Sequence, residues 1–373
     1  MSENDLKYIK DIMQCANINF LIGSGLSTPY LKTLGSIEKK ITSLSKINDI
    51  DESVQLLVKN SLFHQYFEDV MYKNRFILEN FLDNEKGITL NNYSEFLRTF
   101  NSLLQRRGST ILSKKVNIFT TNIDLFLEKA LEDLDLEFND GFSGRQIPVF
   151  SLSNYNKVLT KKSLYFDNES KIPIFNYLKL HGSLNWRFGD KNRIVYTNDL
   201  SYLESLHDLS LECNFLEIKD NDTIEDLIKI AIERKEQEEI AEEKICEFQK
   251  EFEKIPVINP TKEKFKESVL DFNYYELLRF YSNELEKENS VLFVMGFSMA
   301  DEHIADITLR LAKSNPSLTI IVFVYKEPEL AEIKTNLKNI EQKNIRFFCP
   351  IATDVYDFET INSSVFKSIS DKI

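Results

Sequence analysis

Four short stretches of this 373-residue chain gather the residue types that could do chemistry. In Gly23-Ser24-Gly25-Leu26-Ser27 two glycines stand one residue apart. Such a turn lets an anion approach the backbone and meet its N–H groups, although any tight turn can use the same pair. Thr28 stands where the dinucleotide fingerprint G-x-G-x-x-G needs its third glycine, so the ordinary Rossmann signature is absent. Thr120-Thr121-Asn122-Ile123-Asp124 sets an amide two residues before a carboxylate. Asparagine donates and accepts at once, and ionised aspartate accepts from hydroxyl or amide donors. The structural alternative is a helix N-cap, which favours the same residues. His181, between Leu180 and Gly182-Ser183, has the ionisation range of a general base near neutral pH; a satisfied structural histidine is its competitor. Gly296-Phe297-Ser298 reads as a second anion- or ribose-binding turn, followed by Asp301 as a candidate helix cap and His303 at the helix start.

Apolar runs precede all four. Ile18–Ile22, Val116–Thr120, Ile174–Leu180 and Val291–Met295 each lead into one motif, and Leu318–Val324 and Ile345–Cys349 are two more runs. Near-continuous apolar strands alternating with helical patterns predict a parallel sheet covered on both faces. Ligands of such sheets bind beyond the carboxyl ends of the strands. The chain holds only 10 glycines, well below the usual ~7%. Six of them (Gly23, Gly25, Gly141, Gly144, Gly182, Gly296) fall in the motifs or in the loop Asp140–Gly144, which reads as a surface loop or lid.

The expected architecture is α/β: a Rossmann-like parallel sheet with helices on both faces, from residues 1–30, 111–190 and 255–373. A helical insertion is expected at 31–110 and a second, charged, mostly helical insertion at 191–254, where Ile224, Ile228, Ala231, Ile245, Phe248 and Phe252 keep a helical spacing. With 59 acidic against 46 basic residues and a net charge of −13, a general nucleic-acid-binding face is not expected. No apolar run approaches the ~18 residues of a membrane span. The opening residues lack the basic and apolar regions of a secretion signal, so cytoplasmic localisation is the expectation. Cys15, Cys213, Cys246 and Cys349 form no C-x₂-C pair, so no zinc site is expected and all four are read as buried, inert thiols. Metalloprotease, P-loop, nucleophile-elbow and kinase signatures are missing.

Taken in order, strand–GSGLS, strand–TTNID, strand–LHGS and strand–GFS resemble the sirtuin-like NAD⁺-consuming superfamily over about residues 16–30, 115–190 and 255–350. Val257-Ile258-Asn259-Pro260-Thr261-Lys262 is similar to a proline-containing segment of its divergent members. The chain departs from protein-deacylating members: it has no four-cysteine module, and Thr28-Pro29-Tyr30-Leu31-Lys32 replaces their Ile-Pro-x-Phe-Arg. It thus resembles the zinc-less bacterial antiphage branch. That resemblance implies NAD⁺ as substrate, hydrolysed to nicotinamide and ADP-ribose in abortive infection. It implies Asn122, His181 and Asp124 as catalytic residues. It implies NAD contacts from Gly23, Ser24, Gly25, Leu26, Ser27, Thr121, Asn122, Asp124 and Gly182, with Gly296, Phe297 and Ser298 on the adenosine side. A HerA-like ring ATPase partner is implied by the same branch; regulation by homo-oligomeric assembly is expected because an unrestrained NAD⁺ hydrolase would harm its host. The alternatives are an NAD-dependent protein deacylase or ADP-ribosyltransferase, and a non-catalytic NAD- or ADP-ribose-binding sensor subunit.

Overall fold

A computed structural model describes residues 2–33, 35–47, 50–79, 82–107, 112–190, 193–219, 221–237, 239–258, 269–340, 342–351 and 354–371. Of the segment 257–262, residues Asn259 to Lys262 lie outside the described residues.

The frame is a seven-stranded sheet of β1 (Asn17–Ile22), β2 (Lys115–Thr120), β3 (Phe138–Asn139), β4 (Ile174–Lys179), β5 (Ser290–Met295), β6 (Thr319–Phe323) and β7 (Ile345–Phe348). Its spatial order is β7-β6-β5-β1-β2-β4-β3, and every neighbouring pair is parallel. Successive strand side chains point to opposite faces. Phe20, Ile22, Ile118, Tyr177 and Phe293 enter one apolar cluster; Leu21, Phe119, Leu178, Leu292 and Val294 enter the other. Burial on both faces explains why the strands read as unbroken apolar runs.

Helices α1 (Glu3–Cys15), α2 (Gly35–Leu44), α3 (Glu52–Tyr66), α4 (Asn84–Arg106) and α5 (Phe126–Asp133) contribute to the first cluster. So do α6 (Ser201–Leu211), α7 (Ile224–Gln237) and α8 (Glu242–Phe252). Helices α2 to α4, between β1 and β2, and α6 to α8, between β4 and β5, therefore share one core with the sheet. They also meet each other: Phe63 stacks on Phe252 with centroids 5.2 Å apart, and Leu216 N–H donates to Ser61 Oγ at 3.0 Å. Within the charged stretch, Leu227, Ala231, Ile245, Phe248 and Phe252 are buried while the charges face outward, as an amphipathic pattern dictates. Helices α9 (Val269–Glu286), α10 (Glu302–Ser314) and α11 (Glu329–Asn336) cover the second face.

β1 lies between β2 and β5, so the chain leaves β1 to one side and later returns to the other. The crevice beyond the carboxyl ends of β1 and β5 is the topological switch point. Asp140–Gly144 is not a free lid: Phe142–Ser143 pairs with Val149–Phe150 in a small antiparallel sheet, and the Phe142 ring packs on Phe150 and Trp186. The expectation of four buried thiols fails as well. Only Cys213 is buried; Cys15, the last residue of α1, is exposed, and Cys246 and Cys349 are half-buried. Among the described residues no helix is long and apolar enough to cross a membrane.

Candidate functional site

The motif ends are drawn together by backbone bonds at the carboxyl edge of the sheet. Gly23 N–H donates to Met295 O at 3.0 Å, Thr121 N–H to Ile22 O at 3.2 Å, and Leu180 N–H to Thr120 O at 2.8 Å. Leu184 N–H reaches Ile123 O at 3.3 Å, joining the histidine motif to the asparagine motif.

The glycines owe their places to loop-against-loop packing. A Cβ on Gly23 would stand 2.4 Å from Gly296 O and 2.8 Å from Phe297 Cα; one on Gly25 would stand 2.9 Å from Gly296 Cα. Gly296 has φ +60° and faces Leu26 N, a combination that only glycine adopts without strain. Gly25 N–H donates to Gly296 O at 3.0 Å and Leu26 N–H to Gly23 O at 3.2 Å. The N–H groups of Gly23, Gly25 and Leu26 are thus engaged by protein carbonyls, so an anion at this loop would meet other donors. Gly182, at φ +80°, lies under Pro256 O, and Ile258 N–H donates to His181 O at 2.9 Å. A strap from Pro256 to Ile258 therefore crosses the histidine loop.

Asn122, Asp124, Ser27 and Tyr93 form one buried network. Ser27 Oγ donates to Asp124 Oδ2 at 2.7 Å and lies 3.0 Å from Tyr93 Oη. With the serine proton directed at the carboxylate, the tyrosine hydroxyl is the donor to Ser27. Burial first, and then the Asp124 charge, hold the Tyr93 hydroxyl well above its ordinary pKa, so it remains a neutral donor. Asn122 Nδ2 donates to Gly23 O at 3.1 Å and to Ser27 Oγ at 3.2 Å. These bonds fix the amide's orientation and leave Asn122 Oδ1 buried without a partner. Asp124 Oδ1 accepts from Phe126 N–H at 3.2 Å at the start of α5, so the residue also steadies the helix. Beneath it, buried Lys179 donates to Asp124 O and pairs with Glu128 at 3.0 Å. Burial pushes the Glu128 carboxyl up and the Lys179 charge draws it back.

His181 forms a second group at the same edge. Its Nε2 lies 3.1 Å from Asp301 Oδ2, while Asp301 Oδ1 accepts from the N–H groups of His303 and Ile304 and caps α10. The Tyr274 ring stands 6.0 Å from the imidazole; burial first, then the Asp301 charge, raise its hydroxyl pKa. Ser183 Oγ, two residues on from His181, is buried and unpartnered. Thr121 and Ser24 are half-buried, and Ser298 is exposed with its carbonyl accepting from Asn336 Nδ2. Phe297 packs against the second apolar cluster. The structure therefore joins Ser27, Asn122 and Asp124 directly, and Gly23 and Gly25 to Gly296. No hydrogen bond links Asn122 to His181 among the described contacts.

Two participants escaped the sequence. Tyr93 lies on α4, where its spacing fits an apolar helix face; its ring stacks on Phe126 with centroids 5.8 Å apart. Asp301 was legible as a cap, but not as the partner of His181. Among the described residues no group of three or more His, Cys, Asp and Glu side chains is placed to hold a metal ion.

Residues 116–236 match the SIR2-like domain family. The SIR2-like stretch contains Asn122, Asp124 and His181 and leaves out the Gly23 and Gly296 loops. No curated protein matches the chain. A solved structure of a Sir2 enzyme is similar at 12% identity, with 99% of each chain covered and a TM-score of 0.41.

Proposed function

We propose that this protein binds NAD⁺ as a substrate at the carboxyl edge of its sheet and hydrolyses it to nicotinamide and ADP-ribose. The observation that carries the reading is the unpartnered, buried Asn122 Oδ1 beside Ser27, Tyr93 and Asp124. A buried acceptor without a donor is costly, and a ribose hydroxyl or the attacking water supplies that donor. The match of residues 116–236 to the SIR2-like family supports the choice of NAD⁺.

Breaking the N-glycosidic bond develops positive charge at the ribose, so the site has to hold the sugar, place a water and stabilise charge. Asn122 orients the ribose hydroxyl or the water through Oδ1. Asp124 and Tyr93 fix Ser27 and the amide behind it. His181 takes a proton at a ribose hydroxyl. Donation from Nε2–H to Asp301 sets the tautomer in which Nδ1 is the acceptor, which makes Asp301 a positioning residue. The remaining loop donors near Ser24 and the exposed Ser298 face the phosphates and the adenosine side. Cellular NAD⁺ depletion as an antiphage response, control by homo-oligomeric assembly and pairing with a HerA-like ring ATPase belong to the same reading.

The test follows nicotinamide release by the wild type, Asn122→Ala and His181→Ala. A single such group is typically worth ~10²–10⁴ in rate, so each variant should fall by that factor with its unfolding midpoint retained. Near-normal turnover in a folded variant removes that residue from the mechanism.

A further inference from the structure

We propose that a cleft at the opposite, amino-terminal edge of the sheet binds a short phosphate chain, either free or as the tail of a nucleotide. β1 rises ~3.3 Å per residue over its length, so this cleft lies roughly 20 Å from the Gly23 loop. Its cavity volume is about 200 Å³, below the ~300–1,000 Å³ of sites for drug-sized ligands, so it suits a small ion or a short chain of phosphates.

Lys114, Lys115, Lys157, Lys171 and Lys287 line it, with Glu284 as the one acidic side chain among its lining residues. That ratio runs against the composition, in which 59 acidic residues outnumber 46 basic ones. The carboxylate is also oversubscribed. Lys287 Nζ lies 2.7 Å from both Glu284 oxygens, Asn117 Nδ2 donates to Oε2 at 3.0 Å, and Lys115 Nζ stands farther off at 3.9 Å. The Lys115 side chain is only 19% exposed. Desolvation lowers its pKa, and the Glu284 charge only partly offsets this. Two ammonium groups on one carboxylate leave a net positive charge in a half-buried place, and an anion from solvent balances it.

The acidic side chain is pinned in place. Asn19, Asn117 and Asn176 stand in register on β1, β2 and β4. Asn176 Nδ2 donates to Asn117 Oδ1 at 3.0 Å and Asn117 Nδ2 to Asn19 Oδ1 at 2.8 Å. This amide row holds Glu284 against the sheet, so it cannot swing out to reach Lys157 or Lys171. Those two lysines are exposed at the rim, where their charges meet a multivalent anion. Tyr155 and Ile172 supply apolar surface beside them.

Binding of sodium tripolyphosphate and of ATP is measured by titration calorimetry at low and raised salt. The proteins are the wild type, Lys157→Glu/Lys171→Glu, the milder Lys157→Ala/Lys171→Ala and Asn122→Ala. We expect saturable tripolyphosphate binding that weakens at least tenfold with charge reversal, at least threefold with the alanine pair, and with rising salt. It should be unchanged in Asn122→Ala; because Lys157 and Lys171 line this cleft and not the carboxyl edge, the loss on charge reversal is what separates the two sites. ATP binding at least tenfold tighter than tripolyphosphate assigns the nucleotide tail; equal affinity assigns free polyphosphate. Absence of binding by the wild type, binding that survives charge reversal, or binding lost in Asn122→Ala overturns the proposal.

Discussion

Replacing Gly23 with alanine separates two reasons for a glycine at the end of β1: close packing of protein loops, or close approach of a ligand. The added Cβ would stand 2.4 Å from Gly296 O and 2.8 Å from Phe297 Cα. Ordinary contact begins near 3.4 Å, so the overlap is about 1 Å, against backbone that has no rotamer to yield. Overpacking of this kind costs ~1–3 kcal/mol. Parting the loops also stretches the 3.0 Å bond from Gly25 N–H to Gly296 O, adding ~0.5–1.5 kcal/mol. The expected destabilisation is therefore roughly 1.5–4.5 kcal/mol, without any ligand. Gly87→Ala is the matched control. Gly87 lies within α4 and an added Cβ meets nothing within 4 Å, so alanine should stabilise by ~0.5–1 kcal/mol. Urea unfolding of the ligand-free proteins should move the two midpoints in opposite directions. A Gly23→Ala midpoint equal to that of the wild type, with only ligand binding impaired, refutes the packing argument.

Asp301→Asn keeps a side chain able to cap α10 but removes the negative charge beside His181. NAD⁺ turnover at neutral pH should fall by on the order of tenfold or more, with little change in unfolding midpoint; an unchanged rate removes Asp301 from the positioning of His181. On α3, burial above all, and then the charge of His207, depress the His64 pKa from 6.5 to about 4, with Asp69 opposing. The unfolded chain then takes up a proton that the folded chain refuses. This contribution to stability is complete above pH 6.5 and is lost as pH falls toward 4, by at most about 3 kcal/mol. The drop in unfolding midpoint from pH 7.5 to pH 5 should shrink in His64→Gln; equal drops in both proteins refute it.

The parallel sheet was legible because burial on both faces left unbroken apolar runs such as Val291–Met295, four of them followed by a motif. β3, two residues long, is too short to leave such a pattern. The helices between β1 and β2 were visible in the spacing of Leu57, Phe63, Phe96 and Phe100, but their sharing of one core with the sheet was not, since contacts such as Phe63 with Phe252 join distant positions. In the candidate site, Asn122, Asp124 and His181 stand out because polar residues end buried strands. Tyr93 does not, since its helical spacing gives only an apolar face and its hydroxyl partners come from other elements. Gly23 and Gly25 were conspicuous by scarcity. Their packing against Gly296 depends on β5 lying beside β1, a pairing across more than 260 residues that no local pattern carries.

Incubation of the purified protein with NAD⁺ alone, beside Asn122→Ala, with chromatography of nicotinamide and ADP-ribose, tests the central proposal most directly. Equimolar release of both products by the wild type, and its loss in the folded variant, is the predicted result. NAD⁺ that stays intact, or equal release by both proteins, contradicts it.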